Sequence, residues 1–186
     1  LQLASVENSI EIERPVEQVF AFVDDYRNAT KFIVGMTEYK PLGKQVSGKG
    51  SRFRLVKKTT GLPDIKSEIE VIDWAQDRKL VFQSYKGFEN GGSYTFTAKG
   101  DHTVLKAHNS YDLVSLLGGG GGLFGGLKRA AGGAMGKVAE GTVKKDLTKS
   151  LETLRDLIEK TPAAKKPVAK KPATKKAAPR KAGARR

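Results

Sequence analysis

Few side chains in this sequence could carry acid–base, nucleophilic or metal chemistry: His102, His108 and the neighbouring carboxylates Asp24 and Asp25. With no cysteine, disulfides, thiolate nucleophiles and Cys-ligated metals are excluded. His108 shares parity with Val104, Lys106 and Ser110, so a strand here turns it to the outer, wet face. His102 follows Gly100-Asp101, a turn, and is expected at the surface. Asp24-Asp25 closes an amphipathic stretch and reads as a cap rather than as a carboxylate dyad. No catalytic residues, metal site or cofactor are therefore predicted. Gly120-x-Gly122-x-x-Gly125 formally fits the dinucleotide fingerprint, but residues 118–141 hold eleven glycines. In such a run the match follows from composition, and the βαβ setting that gives it meaning is missing.

The other chemistry open to the chain is recognition of an apolar molecule. That needs an apolar lining with a few polar groups to orient the ligand. Phe53, Leu55, Phe82, Tyr94, Phe96, Asn109 and Tyr111 are the candidates, because alternation puts them on one face of a sheet. Tyr111 and Asn109 stand out, since each brings a polar group that must find a partner if buried.

The elements that would position them are legible. Residues 6–13 alternate, with Val6, Ile10 and Ile12 opposite Glu7, Glu11 and Glu13, a strand with one wet face. Pro15 begins a short helix on which Val16, Val19, Phe20 and Val23 follow at helical spacing. Tyr26–Ile33 predicts a second short helix, stopped by Gly35. Period two then returns, with strands expected near 36–41, 50–59, 65–74, 79–86, 92–99 and 102–113. Short turns separate them, which indicates an antiparallel meander. A long helix is expected from about Lys137 to Lys160, its stripe formed by Val143, Leu147, Leu151, Leu154 and Ile158. The fold class is α+β, a curved antiparallel sheet of about seven strands wrapped around that helix.

The run Ile10-Glu-Ile-Glu-Arg-Pro15-Val-Glu-Gln-Val19-Phe-Ala-Phe-Val23-Asp resembles the opening of the polyketide cyclase/dehydrase branch of the START-like (SRPBCC) superfamily. The order strand, two short helices, six strands and long helix is similar over residues 5–160, and Asp146-Leu147…Leu151…Leu154 resembles the closing helix. The resemblance implies a helix-grip fold with a deep cavity for a lipid or a polyketide-like molecule. It also keeps open an aromatase/cyclase-type activity on such a substrate, although no residues point to one. The glycine-rich residues 118–136 interrupt the domain as a lid or insert, with Leu123, Phe124 and Leu127 as its apolar contacts.

The chain carries a formal charge of +14, from 34 Lys+Arg against 20 Asp+Glu. Residues 161–186 contain ten of those bases and no acid, so the domain over residues 1–160 is nearly balanced. Basic doublets recur every five residues: Lys165-Lys166, Lys170-Lys171, Lys175-Lys176, Arg180-Lys181 and Arg185-Arg186. This Lys/Ala/Pro segment resembles the tails of linker histones and bacterial nucleoid proteins. With no aromatic residue it cannot build a core, and disorder is expected. Its natural partners are nucleic acids or other polyanions, bound by counterion release without sequence readout. No secretory signal or membrane-length apolar run is read, so a cytoplasmic protein is expected, with association to the nucleoid if the tail meets DNA. Two readings thus compete: a ligand-binding domain carrying a basic tail, and a nucleoid-associated protein acting through the tail.

Overall fold

The computed structural model describes residues 3–59, 64–112 and 125–162. Strand β1 (Leu3–Ile12) leads into helix α1 (Val16–Asp24), a 3₁₀ turn (Tyr26–Asn28) and the one-turn helix α2 (Ala29–Phe32). Strands β2 (Met36–Pro41), β3 (Arg52–Lys57), β4 (Ile65–Ala75), β5 (Lys79–Gly87), β6 (Asn90–Lys99) and β7 (His102–Asp112) follow, and helix α3 (Gly125–Lys160) closes the chain. The strands form one antiparallel sheet in the order β1-β7-β6-β5-β4-β3-β2, so the meander is completed by β1 returning beside β7.

The sheet curls around α3, giving the expected helix-grip fold. Val143, Leu147, Leu151, Leu154 and Ile158 are buried along the helix, joined one turn earlier by Ala139. They meet Val6, Ile12, Leu105, Ala107 and Phe96 from the sheet and Val19 and Phe20 from α1. Truncating a residue such as Leu154, which is wholly buried, would cost about 2–5 kcal/mol. Arg14 ties the strand-to-helix corner to the end of α3. Its guanidinium donates to the carbonyls of Glu159 and Thr161, the latter at 3.1 Å, and so satisfies acceptors that a helix C-terminus leaves open. Asn8 Nδ2 donates to Thr148 Oγ1 at 2.8 Å, a second bond between β1 and α3.

One boundary differs from expectation. Helix α3 begins at Gly125 rather than near Lys137, so residues 125–136 of the expected glycine lid or insert are helical. Glycine lowers helix propensity by about 1 kcal/mol per residue without forbidding the conformation. Leu, Lys, Arg, Ala and Met between these glycines are all good helix formers. The remainder of that segment, with Leu123 and Phe124, and the basic tail from residue 163 lie outside the described residues. Leu127 falls within α3, but its side chain is not among those described. Among the described residues, no helix is long and apolar enough to cross a membrane.

Candidate ligand-binding cavity

Between the concave face of the sheet and α3 lies a cavity of about 140 Å³, partly open to solvent. An apolar cavity of about 150 Å³ accepts a benzene-sized molecule, and a longer ligand would extend through the opening. Six of the seven residues predicted from parity line it: Phe53 and Leu55 from β3, Phe82 from β5, Tyr94 from β6, and Asn109 and Tyr111 from β7. Phe96 is the correction. It shares a face with Tyr94 but is buried in the core, its ring 5.1 Å from that of Phe20 in an edge-on contact. Helix α1 lies over that part of the sheet, so the position belongs to the core and not to the cavity wall.

Register explains how large rings and a cavity coexist. Phe82, Gly92 and Asn109 stand opposite one another on β5, β6 and β7. A Cβ added at Gly92 would sit 2.7 Å from Asn109 Oδ1, from the His108 carbonyl oxygen and from Phe82 Cζ. Glycine at this position is what allows the Phe82 ring to lie across β6 and form cavity wall. On the far side, Phe53 is flanked by Tyr39, stacked at 4.9 Å between ring centroids, and by Tyr26 at 6.0 Å.

The polar groups of the cavity fall into three sets. At one end is Tyr111, whose hydroxyl is buried and has no hydrogen-bond partner among the described residues. Burial raises its pKa, and the nearby Glu140 carboxylate adds to the effect. Asn109 faces the cavity one alternation along β7. Beside Tyr111 in register, Asn90 accepts from Ser67 Oγ at 2.9 Å.

At the other end, the Asp24 carboxylate accepts from Trp74 Nε1 at 2.9 Å and from Ser47 Oγ at 2.5 Å. Tyr39 and Tyr94 also line the cavity, and the Tyr39 phenol lies near enough to sense both Asp24 and Tyr94. Burial pushes Tyr94 up to about 12. Tyr39 is pushed up by burial first and then by the proximity of Tyr94 and Asp24. Both phenols are therefore protonated donors throughout the physiological range. Tyr94 lies four residues along β6 from Asn90, the register partner of Tyr111, which separates the two ends by about 13 Å of strand.

The third set couples the wall to the helix. Lys57 Nζ pairs with Asp146 Oδ2 on α3 at 3.1 Å, with 17% and 18% of the two side chains exposed. One turn on, Ser150 Oγ accepts from the Val34 backbone N–H at 2.9 Å and donates to the Asp146 carbonyl at 2.7 Å. These bonds hold the helix against the α2–β2 corner and against β3.

The side chains first considered for catalysis are not brought together. His108 lies on the outer face of β7, opposite Glu7 and Ser93, and His102 Nδ1 sits 3.2 Å from Asp101 Oδ1 at the β6–β7 turn. Asp25 is a cap, accepting from the Arg27 backbone N–H at 3.1 Å. The side-chain bond from Arg27 is the main reason its carboxyl is held below the usual carboxylate range. Asp24, its neighbour, is instead a cavity residue. Among the described residues no cluster of three His, Asp or Glu side chains is arranged to hold a metal.

Sequence does not single out Tyr39, Lys57 or Ser150, and it offers Asp24 only as a helix-end cap. Tyr39 has a usable signal, since it stands next to the exposed Lys40 on β2 and alternation turns it to the opposite face. For Asp24 and Lys57 no local signal exists, because their partners are 50 and 89 residues away.

A family model described as polyketide cyclase / dehydrase and lipid transport matches residues 4–159. Among solved structures, a protein of Thermus thermophilus superposes with a TM-score of 0.65 at 19% identity, over 83% of this chain and 97% of that one. The Zhui aromatase/cyclase of Streptomyces sp. R1128 does so with a TM-score of 0.64 at 14% identity, over 86% and 95%. A START superfamily protein from Mycobacterium smegmatis gives 0.56 at 15% identity, over 84% and 94%. At these identities the likeness is one of fold. Comparison with curated proteins finds no match.

Proposed function

The chain belongs to the polyketide cyclase / dehydrase and lipid transport family, and from that premise we propose that it binds a hydrophobic or amphipathic small molecule in the cavity between the sheet and α3. The observation that carries this reading is the Tyr111 hydroxyl, buried at the cavity wall with no partner among the described residues. Leaving a buried hydroxyl unpaired costs about 1–3 kcal/mol, which a ligand with a matching polar group recovers. The rest of the wall supplies apolar area: Phe53, Leu55 and Phe82 from the sheet, with Val143 and Leu147 from α3. Titration with an apolar fluorescent probe tests the reading. Tyr111→Ala and Tyr94→Ala should each weaken binding by about 1–3 kcal/mol while the domain stays folded. Unchanged affinity in both folded variants would refute it.

Catalysis on a polyketide-like substrate, as in an aromatase/cyclase, is the second reading. It is favoured by Tyr39 and Tyr94, two buried and protonated donors able to polarise a carbonyl. Turnover of a poly-carbonyl substrate, lost in the double Tyr→Phe variant, would establish it.

Leu123, Phe124 and Leu127 are proposed to cover the opening, so ligand should slow backbone exchange around them. The basic doublets from Lys165 to Arg186 are proposed to bind DNA or another polyanion, placing the protein in the cytoplasm at the nucleoid. With ten bases the slope of log K against log salt for duplex DNA is no steeper than about −9. Truncation after Lys160 should abolish this binding and leave the probe affinity unchanged. Equal DNA binding by the truncated protein would remove the tail from the account.

A further inference from the structure

The α1 end of the cavity holds a donor–acceptor arrangement that the binding of an apolar molecule does not by itself require. Asp24 closes α1 and turns its carboxylate toward the lining, where Trp74 Nε1 and Ser47 Oγ occupy part of its accepting capacity. A carboxylate offers about four lone-pair sites, so acceptor capacity remains. Asp24 carries no ion pair with Lys or Arg among the described residues. The phenols of Tyr39 and Tyr94 supply donors to the same lining, Tyr39 near enough to sense both Asp24 and Tyr94, and neither phenol makes a hydrogen bond to a described residue.

We infer that Asp24 is a specificity-determining residue: with Tyr39 and Tyr94 it receives the hydroxyl of a neutral, ring-sized apolar ligand and rejects the same ligand bearing a carboxylate. The inference rests on the cavity being the binding site, as proposed above, and adds which head group that site takes. A hydroxyl can donate to Asp24 and accept from a phenol at once, so it satisfies both halves of the arrangement. A carboxylate can accept from the phenols but must then lie beside the partly buried Asp24 carboxylate, where like charges repel more strongly than in open water. Lys57, the other charged residue of the lining, does not offset this, because its ammonium is already matched to Asp146 at 3.1 Å.

The chain's one tryptophan makes the test specific. Its indole N–H is the donor to Asp24, so its single side-chain resonance in ¹⁵N-labelled protein reports on this end of the cavity alone. The probes are 4-butylphenol and 4-butylbenzoate at pH 7, with affinities measured calorimetrically on the full chain. The phenol should bind at least tenfold tighter than the benzoate and should shift the indole resonance. Asp24→Asn keeps the size of the side chain and an acceptor for Trp74. It should cut the phenol-to-benzoate preference at least fivefold, chiefly by tightening the benzoate. Equal binding of the two probes by the unaltered protein, or an indole resonance that stays in place as the phenol saturates, would overturn the inference while leaving the cavity reading intact. The same holds for a preference that Asp24→Asn does not change. Should Asp24→Asn fail to fold, the first two measurements still decide. Binding of neither probe would overturn both readings.

Discussion

Replacing Tyr111 with Phe should move stability and binding in opposite directions. The side chain is 4% exposed, and its hydroxyl finds no acceptor or donor among the described residues. Phenylalanine fills the same space, so the substitution removes a desolvated polar atom and leaves no hole. An unsatisfied buried hydroxyl costs about 1–3 kcal/mol, and water entering the cavity offsets part of that, so a gain of about 1 kcal/mol is expected in the empty protein. For a domain of this size that is a rise in Tm of about 2–4 °C. With ligand present the hydroxyl's hydrogen bond is missing, and a net loss of about 1 kcal/mol corresponds to roughly fivefold weaker binding. Thermal melts of wild type and Tyr111→Phe, empty and at matched probe concentrations, separate the two effects, since the rise in Tm that ligand produces grows with its affinity. A lower Tm for the empty variant would mean that the hydroxyl has a stabilising partner. An unchanged probe affinity would mean that it does not meet the ligand. Either result refutes the reasoning.

Gly92→Ala places a methyl 2.7 Å from the His108 carbonyl oxygen and from Phe82 Cζ. The lost chain entropy of glycine favours alanine by about 0.4–1 kcal/mol, but the clash should dominate, for a net cost of about 1–3 kcal/mol and weaker probe binding as Phe82 is displaced. Denaturant titration showing equal stability would contradict that packing. Lys57→Met strands Asp146 in a mostly buried site and should cost about 2–3 kcal/mol, somewhat below the figure for a fully buried pair. Lys57→Met/Asp146→Leu should recover most of this, whereas equal losses in the single and double variants would show that the pair's charges are not coupled. Tyr94 is raised from 10.0 to about 12, so between those values the folded state holds a proton that the unfolded chain has released. Its contribution is intact below pH 10 and is lost as pH climbs through about 12. Unfolding free energies of wild type and Tyr94→Phe should therefore diverge across that window, and parallel curves would exclude the buried phenol as the cause.

Alternation and helical spacing are properties of neighbouring residues, and they carried the architecture. The Val6–Ile12 strand, the Pro15 start of α1, the six further strands and the α3 stripe from Val143 to Ile158 can all be read directly from residue order. So can the face that Phe53, Leu55, Phe82, Tyr94, Asn109 and Tyr111 share, because period two sorts side chains to the two sides of a sheet whatever that sheet packs against. What covers each part of the face is another matter. Tyr94 and Phe96 have the same parity, yet Phe96 meets Phe20 of α1 while Tyr94 looks into the cavity. That outcome depends on where a helix some 70 residues away comes to rest. The glycine-rich start of α3 escapes a local reading for a related reason: propensity counts against it, but a helix already held by its buried C-terminal stripe extends at small cost per residue. Asp24 and Lys57 show the limit most clearly. In sequence they are a helix-end acid and a strand lysine. Only the curled sheet brings Trp74 to one and Asp146 to the other, and electrostatic partners of that kind are chosen by three-dimensional proximity, which no local pattern encodes.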